Sequence, residues 1–115
     1  MLNCLIWKCF ISMLTNCNDK DYALSLIRQN IDLFTSFDKV FIFGSILQPE
    51  KTHHDIDILL IYSVYSEQLV EIVNNIHNVL NKVSTLPVDL TVLSVVEEKE
   101  FKFLQKQKLN YLQIK

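Results

Sequence analysis

The stretch Val40–Tyr62, VFIFGSILQPEKTHHDIDILLIY, contains the features that decide the fold. A run of β-branched and aromatic residues predicts a first strand over Val40–Phe43, covered on both faces of a sheet. This strand runs directly into Gly44-Ser45. A second strand is predicted over Asp55–Tyr62, and its apolar run indicates the centre of the sheet. Two acids separated by one residue open this second strand and face the Gly-Ser turn, which makes the stretch the candidate functional site.

The segment after this stretch predicts a long helix and a third strand. Apolar residues recur every three or four positions over 66–82, and Thr85-Leu86-Pro87 ends that pattern. The third strand is predicted over Val88–Val92, with an extension to Val95 left open. A strand, a long helix and a strand form a crossover unit, so the second and third strands should be parallel neighbours.

Further helices are predicted on both sides of this crossover unit. One follows the turn at residues 16–21 and runs to about Ser36. A last helix spans about Glu97–Lys108, with acids in its first turn and lysines in its last, as the helix dipole favours. The tail at 111–114 could add a short edge strand. The predicted fold class is therefore α/β (α+β), a small mixed β-sheet flanked by helices.

The first residues form a separate predicted unit. Apolar side chains at i, i+3, i+4 and i+7 over residues 2–14 predict an amphipathic helix. That helix either packs on the domain or docks a partner. We therefore divide the chain into an N-terminal amphipathic helix and turn at 1–19 and a single domain at 20–115.

The composition supports a folded domain and argues against a nucleic-acid or membrane role. Half of the 115 residues are hydrophobic, which is enough for a core. The formal net charge is −2 with scattered Lys and Arg, so a broad basic face is not indicated and direct nucleic-acid binding is not expected. No apolar run reaches the roughly 18 residues that a membrane span needs.

The N-terminal sequence and the cysteines favour a cytoplasmic location. The apolar start lacks a basic region before it, and Lys8 interrupts the apolar run, so we discount export. Cys4, Cys9 and Cys17 are odd in number and form no CxxC pair, which argues against a zinc or redox site. Reduced thiols in a cytoplasmic protein are the simpler interpretation.

Asp55 and Asp57 are the candidate metal ligands. Side chains alternate along a strand, so the two carboxylates share a face, with Cα atoms roughly 7 Å apart. Partly buried carboxylates this close repel each other, and a hard divalent ion with oxygen ligands removes the conflict. Asp89, just inside the third strand, is the natural third carboxylate, and three such acids can hold two metal ions about 3.5–4 Å apart. The alternative is that Asp55 caps the strand entry and Asp57 is simply exposed.

Gly44-Ser45 is the candidate phosphate site. Gly44, the one Gly of the chain, lets the backbone turn unusually and come close to a phosphate. The backbone N–H groups that follow, at the start of a short helix, and the Ser45 hydroxyl can bind an anion. The Gly-Ser turn, nine intervening residues, Asp-x-Asp and a third Asp on the next strand together favour metal-dependent phosphoryl or nucleotidyl transfer.

These residues resemble a known superfamily. The pattern GS(x9)DID within VFIFGSILQPEKTHHDIDILLIY, followed by PVDLTVL, is similar to that of the polymerase-β-like nucleotidyltransferases. The short length resembles the minimal nucleotidyltransferases (MNT), many of them antitoxins paired with HEPN-domain ribonuclease toxins. The resemblance covers about residues 20–115.

The resemblance implies a role for each site residue. Gly44 and Ser45 would hold the triphosphate of ATP, and Asp55 and Asp57 would bind two Mg²⁺ ions. Asp89 would complete the metal site and help to deprotonate the acceptor hydroxyl. The implied reaction transfers AMP from ATP, with pyrophosphate leaving, to a tyrosine of a HEPN-domain toxin, which the modification silences.

Two other functions stay open on the sequence alone. The chain departs from the GS-x-A-R-G pattern of the family at Leu47, Gln48 and Pro49, which favours a non-catalytic antitoxin that inhibits its partner by occlusion. Lys51 could replace the missing Arg charge. The other alternative is a small-molecule or RNA nucleotidyltransferase, against which the negative net charge and the lack of an accessory domain argue. His53 or His54 could contact the nucleotide or a metal, although a solvent-facing position explains them as well. Tyr62 and Tyr65 could stack on a base, although packing in the core and at its rim explains them as well.

Overall fold

A mixed four-stranded sheet lies at the centre of the fold, which a computed structural model describes for residues 19–48, 55–107 and 110–115. The strands are β1 (Lys39–Phe43), β2 (Ile56–Tyr62), β3 (Val88–Ser94) and β4 (Tyr111–Gln113). Their order across the sheet is β3-β2-β1-β4. β2 and β3 are parallel, whereas β1 is antiparallel to both β2 and β4. The predicted fold class, the parallel crossover pair and the edge strand are therefore confirmed.

Helices cover both faces of this sheet. They are α1 (Asp19–Gln29), α2 (Gln68–Val83), α3 (Val95–Phe101) and α4 (Phe103–Lys106), with 3₁₀ turns at Ile31–Phe34 and Ser45–Leu47. The first face of the sheet carries Ile58 and Leu60 and packs against buried side chains of α1 and α2. The second face carries Leu59 and Ile61 and packs against residues of α3 and α4. Burial on both faces explains the unbroken apolar run of β2.

The prediction of a single helix over Glu97–Lys108 is wrong, because the chain forms two short helices here. A capping box starts α3: the Glu97 N–H donates to the Ser94 hydroxyl at 3.0 Å, and the Ser94 N–H donates to the Glu97 carboxylate at 2.9 Å. The chain then breaks at Lys102, which has a left-handed φ of 51°. After this break, Phe103 of α4 meets Phe43 edge-on with 5.1 Å between ring centroids, which braces the end of β1.

The helix predicted to run to about Ser36 is shorter than expected. It ends at Gln29, where the Asn30 side chain donates to the Leu26 carbonyl at 2.8 Å, and a 3₁₀ turn continues the apolar pattern. Other predicted boundaries move by one to a few residues: β2 begins at Ile56, α2 begins at Gln68 and β3 continues to Ser94.

The N-terminal helix predicted over residues 2–14 lies outside the described residues, so the division of the chain at residue 19 stays a prediction. The three cysteines lie outside them as well. In the parts of the chain that the structure describes, no helix combines the length and the apolar composition that crossing a membrane requires.

Candidate active site

Two acids lie side by side at the start of the parallel strand pair. The sheet register pairs Asp57 of β2 with Asp89 of β3. The preceding pair, Ile56 with Val88, is buried in the core on the first face, so by alternation the two acids lie on the second face. The Ile56 N–H donates to the Pro87 carbonyl at 2.8 Å, which holds this register where both strands begin. The structure therefore brings together two of the three predicted carboxylates.

Gly44 lies directly against the Asp57 carboxylate. It follows β1 with φ of 86° and ψ of −153°, a conformation that residues with a Cβ rarely adopt. A Cβ placed on Gly44 would lie 2.6 Å from Oδ2 of Asp57. Phe43, the residue before, pairs with Asp57 in the sheet. Glycine is therefore required here both for the backbone conformation and for the space beside the acid.

The Asp57 carboxyl stands in an unfavourable environment for a negative charge. Burial first, then the charge of Asp89 and then that of Asp55, raise the pKa of Asp57 from 3.8 to about 6. The three carboxyl groups thus act on one another electrostatically. A divalent cation bound among them would relieve this repulsion, and carboxylate oxygens are suitable ligands for Mg²⁺.

The three carboxylates form a donor set of the kind that a divalent cation prefers. Asp55, one residue before β2, and Asp89 are exposed, whereas Asp57 is half-buried. Within the described ranges, no three His, Cys, Asp or Glu side chains are already drawn together as a metal-ligand set. The sheet register sets Asp57 beside Asp89, and Asp55 precedes Asp57 by two residues along the chain.

Ser45 begins a single 3₁₀ turn directly after Gly44 and is half-buried. The turn closes through two hydrogen bonds, from the Leu47 N–H to the Gly44 carbonyl at 3.1 Å and from the Gln48 N–H to the Ser45 carbonyl at 2.9 Å. The predicted donors to a phosphate, the Ser45 hydroxyl and the N–H groups of Ser45 and Ile46, come immediately after the contact with Asp57. The remaining loop candidates lie outside the described residues: Pro49, Lys51, His53 and His54.

Two asparagines with no sequence signal of their own hold the backbone next to the acids. Asn110 Nδ2 donates to the Gly44 carbonyl at 3.0 Å. Asn81 of α2 accepts from the Val88 N–H at 3.0 Å and donates to the Val88 carbonyl at 3.1 Å, one residue before Asp89. No local pattern could have revealed the first contact, because its partners are 66 positions apart.

The tyrosines considered for base stacking lie away from the acids. Tyr62 ends β2, five residues after Asp57, which places it roughly 16 Å along the strand. It packs against the core, and its ring lies 6.4 Å from that of Tyr65 between centroids. The two rings line a shallow groove with Leu69 and Val73 of α2. The packing interpretation of Tyr62 is therefore confirmed, and Tyr65 lies at the exposed rim of this groove.

A match to a known protein family identifies the class of protein to which this chain belongs. The model of the nucleotidyltransferase domain family matches residues 25–115. This chain belongs to the nucleotidyltransferase domain family, and the predicted superfamily is confirmed. Proteins of this family generally use a nucleoside triphosphate and a divalent metal ion.

Two solved structures are similar to the chain, each at 19% sequence identity. One is the toxin–antitoxin MntA–HpeT in a mutant form, with a TM-score of 0.45 over 82% of this chain and 70% of that chain. The other is a protein assigned to the nucleotidyltransferases from Sulfolobus solfataricus, with a TM-score of 0.44 over 87% of this chain and 89% of that chain. No curated protein matches the chain.

Proposed function

We propose that this chain transfers AMP from ATP to a hydroxyl group of a partner protein. One observation carries the proposal: Asp57 and Asp89 stand side by side in register, with the backbone of Gly44 against Asp57. Membership of the family supports the reaction class. The pair of acids next to an open glycine turn supports this place for the metal-bound triphosphate.

Each site residue has a defined task in this proposal. Asp55, Asp57 and Asp89 would hold the divalent cations, expected to be two Mg²⁺ ions, whose positive charge would offset the negative charge of the triphosphate and of the attacking oxygen. Gly44 lets the triphosphate approach the backbone, and Ser45 donates hydrogen bonds to its oxygens. Asp89 accepts the proton of the acceptor hydroxyl. The hydroxyl oxygen bonds to the α-phosphorus while the bond from that phosphorus to the bridging oxygen breaks and pyrophosphate leaves.

The acceptor that we propose is a tyrosine of a HEPN-type ribonuclease toxin, for which this chain would be the antitoxin. The resemblance of this short domain to the minimal nucleotidyltransferases, many of them antitoxins paired with HEPN-domain toxins, supports this partner. We place the reaction in the cytoplasm, where ATP is available and thiols such as the three cysteines stay reduced.

The test is to mix the purified chain, Mg²⁺-ATP and the product of the neighbouring gene, and then to measure the intact mass of both proteins. The expected result is one or more AMP units on the partner. Asp57→Asn and Asp89→Asn each remove one carboxylate of the pair that the sheet register sets side by side, and each should lower the rate by about 100-fold or more.

Asp32→Asn is the matched control, because it makes the same chemical change on an exposed 3₁₀ turn outside the site. It should retain the wild-type rate. If both site variants also modified the partner at the wild-type rate, the assignment of the acids would be wrong. Transfer of AMP to a free small molecule or RNA by the chain alone would instead support a small-molecule or RNA nucleotidyltransferase.

A non-catalytic antitoxin that acts by occlusion is the second candidate. The feature that favours it is the departure from the GS-x-A-R-G pattern at Leu47, Gln48 and Pro49. In that case Asp57→Asn should inhibit the partner as well as the wild type does, with or without ATP, and no adduct should form. Measuring the ribonuclease activity of the partner under these four conditions separates the two functions.

A further inference from the structure

We infer that Asn110 is a positioning residue for the nucleotide, because its hydrogen bonds hold the Gly44-Ser45 turn where the triphosphate would lie. This role rests on the proposed function. Gly44 is bonded to Asn110 in both directions: its N–H donates to the Asn110 carbonyl at 3.3 Å, and Asn110 Nδ2 donates to its carbonyl at 3.0 Å.

The Asn110 side chain replaces a main-chain donor at the end of the sheet. The pairing of β1 with β4 ends at Phe43 and Tyr111. One step further, an antiparallel ladder would have the N–H of residue 110 donate to the Gly44 carbonyl. Here the Asn110 N–H donates to the Gln107 carbonyl at 2.9 Å instead, and the side-chain amide takes its place. The amide thereby extends the sheet by one residue, to the glycine beside the acids.

The position of the Gly44 peptide determines where the phosphate donors lie. Its carbonyl oxygen accepts from Asn110 and also from the Leu47 N–H at 3.1 Å, so one atom anchors both the sheet and the turn that begins at Ser45. Glycine has wide backbone freedom and would sample other conformations without these bonds. The same residue contacts Asp57. Loss of the Asn110 donor should therefore displace Ser45 relative to the acids.

Two variants test the role of the side-chain donor. Asn110→Ala removes the amide, and Asn110→Leu replaces it with an uncharged side chain of similar size. Both should weaken the binding of Mg²⁺-ATP, measured by calorimetry, by about 10-fold. Binding of Mn²⁺ alone, measured by electron paramagnetic resonance, should change by less than about 2-fold, because the acids stand on β2 and β3. A residue that only stabilised the fold would not produce this difference between the two ligands.

Asn30→Ala is the matched control. Asn30 also donates from its side-chain amide to a backbone carbonyl, that of Leu26 at 2.8 Å, but does so at the end of α1. This variant should bind Mg²⁺-ATP as the wild type does. In the wild-type protein itself, the Asn110 side-chain amide signals in an NMR spectrum should shift when Mg²⁺-ATP is added, a measurement that does not depend on the folding of any variant.

The possible failures are distinguishable. A wild-type chain that binds no Mg²⁺-ATP overturns the proposed function and this role together. If the wild type binds Mg²⁺-ATP and both Asn110 variants bind it equally well, the role alone is overturned. An equal loss of affinity for Mg²⁺-ATP and for Mn²⁺, or Asn110 signals that do not respond to Mg²⁺-ATP, would likewise reject a positioning role.

Discussion

The Asp57 carboxyl opposes folding whenever it is ionised and no cation is bound. Burial and the neighbouring charges of Asp89 and Asp55 raise its pKa from 3.8 to about 6. The folded chain therefore holds this proton more tightly than the unfolded chain does. The stability that the proton contributes is fully present below pH 3.8 and is lost as the pH rises through about 6.

Asp57→Asn should consequently stabilise the metal-free protein at neutral pH. In EDTA at about pH 7.5, we expect the free energy of unfolding to rise by roughly 1–2 kcal/mol, after allowance for solvent around a half-buried carboxylate. At about pH 4.5 most of this gain should disappear, because the wild-type Asp57 is then largely protonated. Urea unfolding at the two pH values measures the difference, with Asp32→Asn as control. A gain of equal size at both pH values would show that ionisation of Asp57 is not its cause.

Unfolding experiments can also test why glycine is needed at position 44. Backbone strain and the contact with Asp57 are two separate effects that oppose a side chain there. Gly44→Ala places a Cβ at a φ of 86° and within 2.6 Å of Asp57 Oδ2. We expect a loss of about 2–4 kcal/mol in the free energy of unfolding, of which the backbone strain is roughly 1–2 kcal/mol.

A double-mutant cycle separates the two effects of this substitution. On an Asp57→Ala background the contact with the carboxylate is gone, so only the backbone strain of Gly44→Ala should remain. Urea midpoints of the four proteins give the interaction term. An interaction near zero would show that the carboxylate moves aside without cost.

At the scale of elements, β3 is an edge strand, and side chains form hydrogen bonds with its backbone at both ends. The Asn81 amide bonds both the N–H and the carbonyl of Val88, and the Glu97 carboxylate accepts from the Ser94 N–H. Because these backbone groups are already hydrogen-bonded, the stretch of edge that another strand could pair with is shorter. At the beginning of β3 the same amide also holds the backbone next to Asp89, so edge protection and site geometry depend on one residue.

Asn81→Ala should therefore destabilise the fold by about 1–2 kcal/mol, the usual cost of leaving backbone groups without their partners. Asn78→Ala on the exposed side of the same helix is the matched control and should change stability by less than about 0.5 kcal/mol, or raise it slightly through helix propensity. Urea unfolding compares the two. If both variants had the same urea midpoint, the hydrogen bonds between Asn81 and Val88 would contribute nothing to stability.

At the scale of the whole molecule, the parts that follow from local pattern were predictable and those that depend on distant contacts were not. Periodicity and the crossover rule suffice to place β2 beside β3, and hence Asp57 beside Asp89. The roles of those acids and of Gly44 and Ser45 as metal and phosphate ligands stay predictions. The break between α3 and α4 had no signal, because Lys102 is a good helix former and apolar residues continue on both sides of it.

The contact between Gly44 and Asn110 can form only late, because the chain is synthesised from its N-terminus and Asn110 lies near the end of the sequence. Asp57 and Asp89 can pair once β3 has emerged from the ribosome. Asn110, the partner of Gly44, lies 66 residues after Gly44 and emerges later. Pairings of such long sequence separation also form late in folding, since the intervening chain must first be closed into a loop. A nascent chain would thus carry paired acids and an unbraced Gly44-Ser45 turn until residues 110–115 have joined the sheet.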